Sequence, residues 1–301
     1  MRVLVTGATG FLGHALTLDL VAAGHDVSAL SRGAEATGRL PSTIPVIQWN
    51  PLEAAVPIAA VEGVDAIVHL AGETVNGSWT RRRRLAILDS QVTGTRNLLR
   101  GVAAADPRPR HLVCASAIGY YGDRGQELLE EDAAPGSDFL ADVCRQWEAE
   151  AGCARKLGLS VTTTRFGIVL GREGGAFAPL RRATALGAGG ALGSGCQWWS
   201  WIHLADAVGA LEHVLETMPD GPLNIAAPEP VQQRDLARAL GRALHRPTFV
   251  PAPAFMLRAL FDGFATELLS SRRVSAGRLV GSGFEHRFGD LDTALADLTR
   301  N

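Results

Sequence analysis

Three glycines spaced three apart, Gly7, Gly10 and Gly13 in VLVTGATGFLGHAL, are the first residues here whose spacing implies chemistry. Gly7 permits a tight turn out of a strand, Gly10 lets the backbone approach a bulky anion, and Gly13 lets the next helix pack closely on the sheet. The free N–H groups around Thr9, Gly10, Phe11 and Leu12 at the helix start then face that anion, an arrangement that holds a dinucleotide's diphosphate. Ser31 and Arg32 stand at the end of the second strand, where an acid would accept hydrogen bonds from a ribose 2′-hydroxyl. A hydroxyl beside a guanidinium suits a 2′-phosphate instead, so NADP(H) is the cofactor expected. Leu70, Ala71, Gly72 and Glu73 end the fourth strand; Ala71 and Gly72 are small enough for a ribose and linker to cross, and Glu73 stands at the rim.

Farther along, Tyr120 and Tyr121, the only tyrosines, follow Ser116 in a glycine-flanked loop at a strand's carboxyl end, where active sites of open sheets collect. Either phenol is a candidate proton donor, and either ring could instead pack on a ligand without proton transfer. The segment CQWWSWIH gathers Trp198, Trp199 and Trp201, three of the six tryptophans. Indoles offer large flat apolar area with one donor each, which suits an aromatic or hydrophobic ligand at Trp199, with Gln197 and His203 as flanking substrate-side candidates. Trp201 is expected in the core. His203, followed by Asp206 at a strand-to-helix junction, also reads as a structural hydrogen-bonder.

Positioning these residues requires an alternating chain. Short apolar runs at Val3 to Thr6, Asp26 to Leu30, Val46 to Trp49, Ala66 to Leu70, His111 to Ser116 and Val161 to Phe166 read as strands. Phe11 to Ala23, Arg82 to Ala105 and Phe139 to Leu157 carry helical spacing between them. Such alternation predicts an α/β fold, a Rossmann-type doubly wound parallel sheet with helices on both faces. After about residue 170 the chain turns glycine-rich and proline-punctuated, predicting a smaller, mostly helical C-terminal lobe. The expected division is a cofactor-binding domain of residues 1–169 plus 199–225 and a substrate-side lobe of 170–198 plus 226–301.

With 301 residues, 47% of them apolar, the chain can bury a large core. Its 29 basic and 31 acidic residues nearly balance, which argues against a nucleic-acid or membrane partner. Arg81 to Arg84 form the one concentrated charge and, opening an apolar-periodic segment, predict the wet start of a helix. Cys114, Cys144, Cys153 and Cys196 lack C-x-x-C spacing, so neither a metal site nor disulfides are expected. MRVLVTG enters a strand directly, so the expectation is a cytoplasmic protein without a secretory leader.

The stretches TGATGFLG, HLAGE, SAIGYYGD, DFLADVCRQWE, GAGGALGSGCQWWSWIH, RPTFVPAP and GSGFEHRF together resemble the short-chain dehydrogenase/reductases of the extended type, in an atypical epimerase-like branch, also labelled sugar-nucleotide-epimerase-like. The resemblance implies a Ser or Thr after the fifth strand and a Tyr and Lys four apart on the next long helix. Ser116 lies in the expected loop, within one place of the catalytic hydroxyl, but Leu140 occupies the Tyr slot and Cys144 the Lys slot. Ile168 and Trp199 stand where nucleotide-sugar enzymes of the family place an Asn and an Arg on the substrate's diphosphate. The resulting expectation is an NADP(H)-dependent oxidoreductase or epimerase for a small carbonyl or alcohol, with Ser116 and Tyr120 or Tyr121 as its catalytic groups. A non-catalytic NADP(H)-binding sensor or partner-docking protein remains the alternative, and a homodimer is left open.

Overall fold

A computed structural model describes residues 1–33 and 38–300. The chain opens with β1 (Arg2–Thr6), α1 (Phe11–Ala22), β2 (Asp26–Ser31), β3 (Val46–Gln48), α2 (Ile58–Val61), β4 (Ala66–His69) and α3 (Arg81–Ala104). It continues with β5 (His111–Ala117), β6 (Leu128–Leu129), α4 (Phe139–Gly152), β7 (Ser160–Phe166), β8 (Ile168–Gly171), β9 (Gly174–Gly175) and α5 (Phe177–Ala185). Next come β10 (Trp198–Trp199), β11 (Trp201–His203), α6 (Leu204–Thr217), β12 (Gly221–Ile225), β13 (Val231–Gln232) and α7 (Gln233–Ala243). The last elements are α8 (Ala254–Phe261), α9 (Phe264–Leu269), β14 (Arg273–Val274), α10 (Gly277–Gly281) and α11 (Leu291–Thr299).

Seven strands form one sheet in the order β3-β2-β1-β4-β5-β7-β12, every pair parallel. The strand order reverses between β1 and β4, so a crevice opens there beyond the carboxyl ends. Val3, Leu4 and Val5 are all fully buried, because helices cover both faces of the sheet. On one face Val3, Val5 and Val68 pack with Leu16 and Leu20 of α1 and Leu211 and Val214 of α6. On the other, Leu4, Ile67 and Leu112 pack with Leu98 and Val102 of α3 and Trp147 of α4. A third core joins Leu170, Phe177 and Trp201 to Leu236 and Leu240 of α7 and Leu295 and Leu298 of α11.

Two expectations need correction. Of residues 199–225, only Gly221–Ile225 joins the large sheet; β11 pairs with β8 in a separate three-stranded sheet. The helix expected to reach Leu157 ends at Gly152 and tightens into a 3₁₀ turn over Cys153–Leu157, closed by Gly158 in the left-handed region. The arginine run does start a helix, with the Thr80 hydroxyl accepting from the Arg83 amide at 3.2 Å. Arg83 and Arg84 are also structural: Arg83 pairs with Glu73 at 2.7 Å, and the Arg84 guanidinium lies 5.1 Å from the Phe139 ring centroid.

Candidate cofactor and substrate site

At the tip of β1 the chain turns through Gly7 at φ 72°, where an added Cβ would meet the Leu70 carbonyl at 2.8 Å. A Cβ on Gly13 would lie 2.2 Å from the Gly7 oxygen, so this helix can approach the sheet only with hydrogen there. The Gly10 amide donates to the Gly7 carbonyl at 2.9 Å, closing the turn. No side chain caps the start of α1, which leaves its first N–H groups for an anion, and no acid in its first turn opposes one. The nest thus fits a diphosphate. Its neighbour strand is pinned by Thr6, whose hydroxyl accepts the Ala71 amide at 3.0 Å and lies 2.7 Å from His69 Nδ1. His69 Nε2 reaches the Thr95 hydroxyl at 3.1 Å, and full burial lowers this imidazole's pKa to about 4. The Phe11 ring is wedged among Gly171, Gly174 and Gly175, where an added Cβ would come within 2.4 to 2.9 Å of it. Ser31 ends β2 and Arg32 follows it, exposed to solvent.

A cavity of about 470 Å³ opens beside the nest, over the carboxyl ends of β4, β5 and β7. Leu70, Gly72, Glu73, Ala117, Leu140, Cys144, Ile168 and Trp199 lie on its walls. Side chains alternate along a strand, so Ala117 faces the cavity while Ser116 turns the other way and donates to Glu148 at 2.7 Å. Arg165 grips the same carboxylate with Nε and Nη2, each at 2.8 Å. The Cys144 thiol does reach the cavity, but burial pushes its pKa up to about 12 and keeps it protonated.

The tyrosines are not brought to this cavity. Tyr121 is fully buried, donates to Asn224 Oδ1 at 2.7 Å and accepts from Arg165 Nη1 at 2.9 Å. Burial raises its phenol pKa, with Arg165 pulling the other way. Tyr120 stacks its ring 3.5 Å from the Arg165 guanidinium. Both therefore brace a buried network rather than line the cavity. On the substrate side, Trp199 and Ile168 line it and Trp201 is core. Gln197 instead ties the Leu192 and Leu268 carbonyls, at 3.0 Å each, and His203 Nδ1 caps α6 by accepting the Ala205 amide at 3.1 Å. Neither lies on the cavity wall.

Residues without any spacing signal complete the cavity. Gln91 from α3 enters beside Gly72, and Glu267, Ser270 and Arg272 enter from the C-terminal segment. Glu267 and Arg272 form a two-point ion pair at 2.7 and 2.8 Å with side chains 13% and 7% exposed. Their only trace in the sequence is an acid and a base on either side of a short helix end, ELLSSRR.

The sequence profile of the NAD dependent epimerase/dehydratase family matches residues 3–226. The chain belongs to that family. A second profile, a domain of unknown function termed DUF1731, matches residues 252–298. Among epimerase-family relatives, the Epimerase family protein YfhF of Bacillus subtilis is 34% identical, covering 99% of this chain and 98% of that protein. The solved structure of human epimerase family protein SDR39U1 with NADPH superposes at TM-score 0.88 and 32% identity, covering 99% of both chains. MoeE5, solved with UDP-glucuronic acid and NAD, superposes at TM-score 0.79 with 25% identity, covering 98% of this chain and 97% of MoeE5. The atypical extended resemblance read from the motifs thus stands, with the large parallel sheet as its frame.

Proposed function

We propose that this protein is an NADP(H)-dependent oxidoreductase acting on a small, uncharged carbonyl or alcohol with an apolar body. The observation that carries the reading is an uncapped glycine nest packed against Leu70, which in turn lines a mostly apolar cavity on the carboxyl side of the sheet, next to the point where strand order reverses. Bound there, the reduced nicotinamide supplies a hydride. Arg32 would grip the 2′-phosphate, and its exposure at the tip of β2 suits contact with a ligand's outer edge. The NADPH in human SDR39U1 supports the same cofactor form here. MoeE5 was solved with a nucleotide sugar, but Ile168 and Trp199 offer this cavity no charge for a diphosphate, which supports a substrate without one.

The test begins with cofactor binding, followed by NADPH fluorescence. NADPH is expected to bind at least tenfold more tightly than NADH, and Arg32→Ala should weaken NADPH by roughly 10- to 100-fold, the worth of a charged hydrogen bond, while leaving NADH nearly unchanged. Equal losses for both would sink the assignment of the 2′-phosphate. Consumption of NADPH is then followed against a panel of neutral ketones, aldehydes and quinones. A second reading, a cofactor-binding sensor without turnover, draws on Ala117, Leu140 and Cys144, none of which can pass a proton at neutral pH. Tight NADPH binding with no consumption across the panel would favour it.

A further inference from the structure

We propose that the C-terminal segment completes the active site, with Arg272, held by Glu267, receiving the carbonyl oxygen of the substrate. This rests on the oxidoreductase reading above. Among the described residues lining the cavity, the charged ones are Glu73, Glu267 and Arg272, so Arg272 is the one cation on its wall. Its position is fixed from three sides. Nε donates to the Gly122 carbonyl at 3.1 Å, and Nη1 and Nη2 donate to the two Glu267 oxygens at 2.7 and 2.8 Å. The Arg272 amide also donates to the Trp198 carbonyl at 3.0 Å, and the residue forms a β-bridge with Trp199. A guanidinium therefore reaches the corner where the family resemblance would place one at position 199, but from a distant part of the chain.

A guanidinium carries five N–H groups. Three of Arg272's are committed, which leaves one on each terminal nitrogen, and the residue lines the cavity, where an acceptor would meet them. Arg272 is 6% exposed, and donors so buried are expected to be paired. Glu267 cancels the charge, so the pair offers a diphosphate no net attraction, whereas a neutral carbonyl gains the two directed donors. The remaining lone pairs of Glu267 can accept a hydroxyl on the same ligand. An uncharged ketone, hydroxyketone or quinone is the substrate class that fits.

In reduction, the carbonyl carbon gains the hydride supplied by the bound cofactor and the C=O π pair moves onto oxygen. Arg272's N–H groups stabilise the resulting alkoxide, as preorganised donors do for developing oxyanions. Solvent then supplies the proton, yielding the alcohol and the oxidised cofactor. Arg272 keeps its own proton throughout: burial works to lower its pKa, but the Glu267 carboxylate outweighs burial and the net direction is up.

The experiment uses the full chain, NADPH, and 9,10-phenanthrenequinone as probe, with UDP-glucuronic acid as the charged control. The double variant Arg272→Gln/Glu267→Gln removes both charges together; Arg272→Lys keeps the charge with a different donor geometry. NADPH affinity, which tests the underlying reading alone, should change less than about twofold in either variant. The double variant should lower kcat by roughly 100- to 1000-fold, the loss known for removing an oxyanion donor, and Arg272→Lys should recover part of it. In the parent protein kcat should stay flat across neutral pH, because a guanidinium does not titrate there. Should the quinone bind without being reduced, quenching of the cavity indoles reads its affinity, which the double variant should weaken about tenfold. Parent-like kcat and probe affinity in the double variant, a kcat that titrates near neutrality, no probe binding, or UDP-glucuronic acid binding better than the quinone would each overturn the proposal.

Discussion

Ser116 and Ala117 differ by one place in the chain and by a whole face in space. Ser116 is committed to Glu148 inside the fold, while Ala117 offers the cavity a methyl group. The sequence places a serine at the end of the fifth strand and two tyrosines just beyond it, but the one-residue register deciding which side chain meets a ligand depends on packing across the sheet, so it could not be read there. The phenol of Tyr121 is spent on Asn224 and Arg165. Accordingly, Tyr121→Phe should leave NADPH affinity and turnover unchanged and cost roughly 1 to 3 kcal/mol of stability for the bonds it strands, read from a urea melt. Glu148→Ala is the harsher change. With side chains only 3% and 13% exposed, Arg165 and Glu148 satisfy each other, and stranding the arginine should cost about 3 to 5 kcal/mol. Trp201 and His203 show what a sequence does reveal: an indole expected in the core and an imidazole with a structural alternative are found as a buried ring and a helix cap.

Elements were the most legible level. Each of the six apolar runs forms a strand of the large sheet, and the glycine triplet sits between β1 and α1. Legibility was poorer where a short element depends on a distant partner: β12 joins the sheet edge through β7, and nothing local in GPLNI separates it from β11. Gly13→Ala tests the β1–α1 junction. Its methyl group would collide with the Gly7 carbonyl, so dinucleotide binding should be lost with the helix displaced, as measured by NADPH fluorescence and circular dichroism. The β4 strand offers a pH test. His69 has its folded pKa lowered by burial from 6.5 to about 4, and His111 on β5 is lowered to about 4 by burial against a smaller opposing pull from Asp220. The unfolded chain therefore binds more protons below about pH 6.5, so stability is full above that value and falls as pH drops towards 4. Each histidine should contribute a slope of up to about 1.4 kcal/mol per pH unit in that window, and His69→Asn should remove roughly half of the combined slope in urea midpoints.

At the scale of the whole molecule, the doubly wound architecture follows from alternation and connection handedness, both visible in the chain. The path of the last fifty residues is different. They read as part of a mostly helical substrate-side lobe, but not as the source of particular cavity residues: they return to the carboxyl edge of the sheet and deliver Phe264, Glu267, Leu268, Ser270 and Arg272 to the cavity. No spacing rule encodes contacts across so long a separation in sequence. Ending the chain at residue 251 should therefore do more than trim a tail, because Leu170, Phe177 and Trp201 would lose Leu295 and Leu298 from their core. Such a chain should be cleaved rapidly under limited proteolysis and bind no quinone probe. Among the described residues, no helix is long and apolar enough to cross a membrane and no His, Cys, Asp and Glu cluster could hold a metal ion.

The wedge of Phe11 among Gly171, Gly174 and Gly175 makes the β8–β9 hairpin a doorstop for the first helix. A single methyl group at position 174, far along the chain from the phosphate loop, would come within 2.4 Å of that ring and press it against the first turn of α1. A change at Gly174, which is not on the cavity wall, thus reaches the phosphate loop by leverage through one phenyl group, whereas Ile168, Val169 and Gly175 of the same hairpin also face the cavity directly.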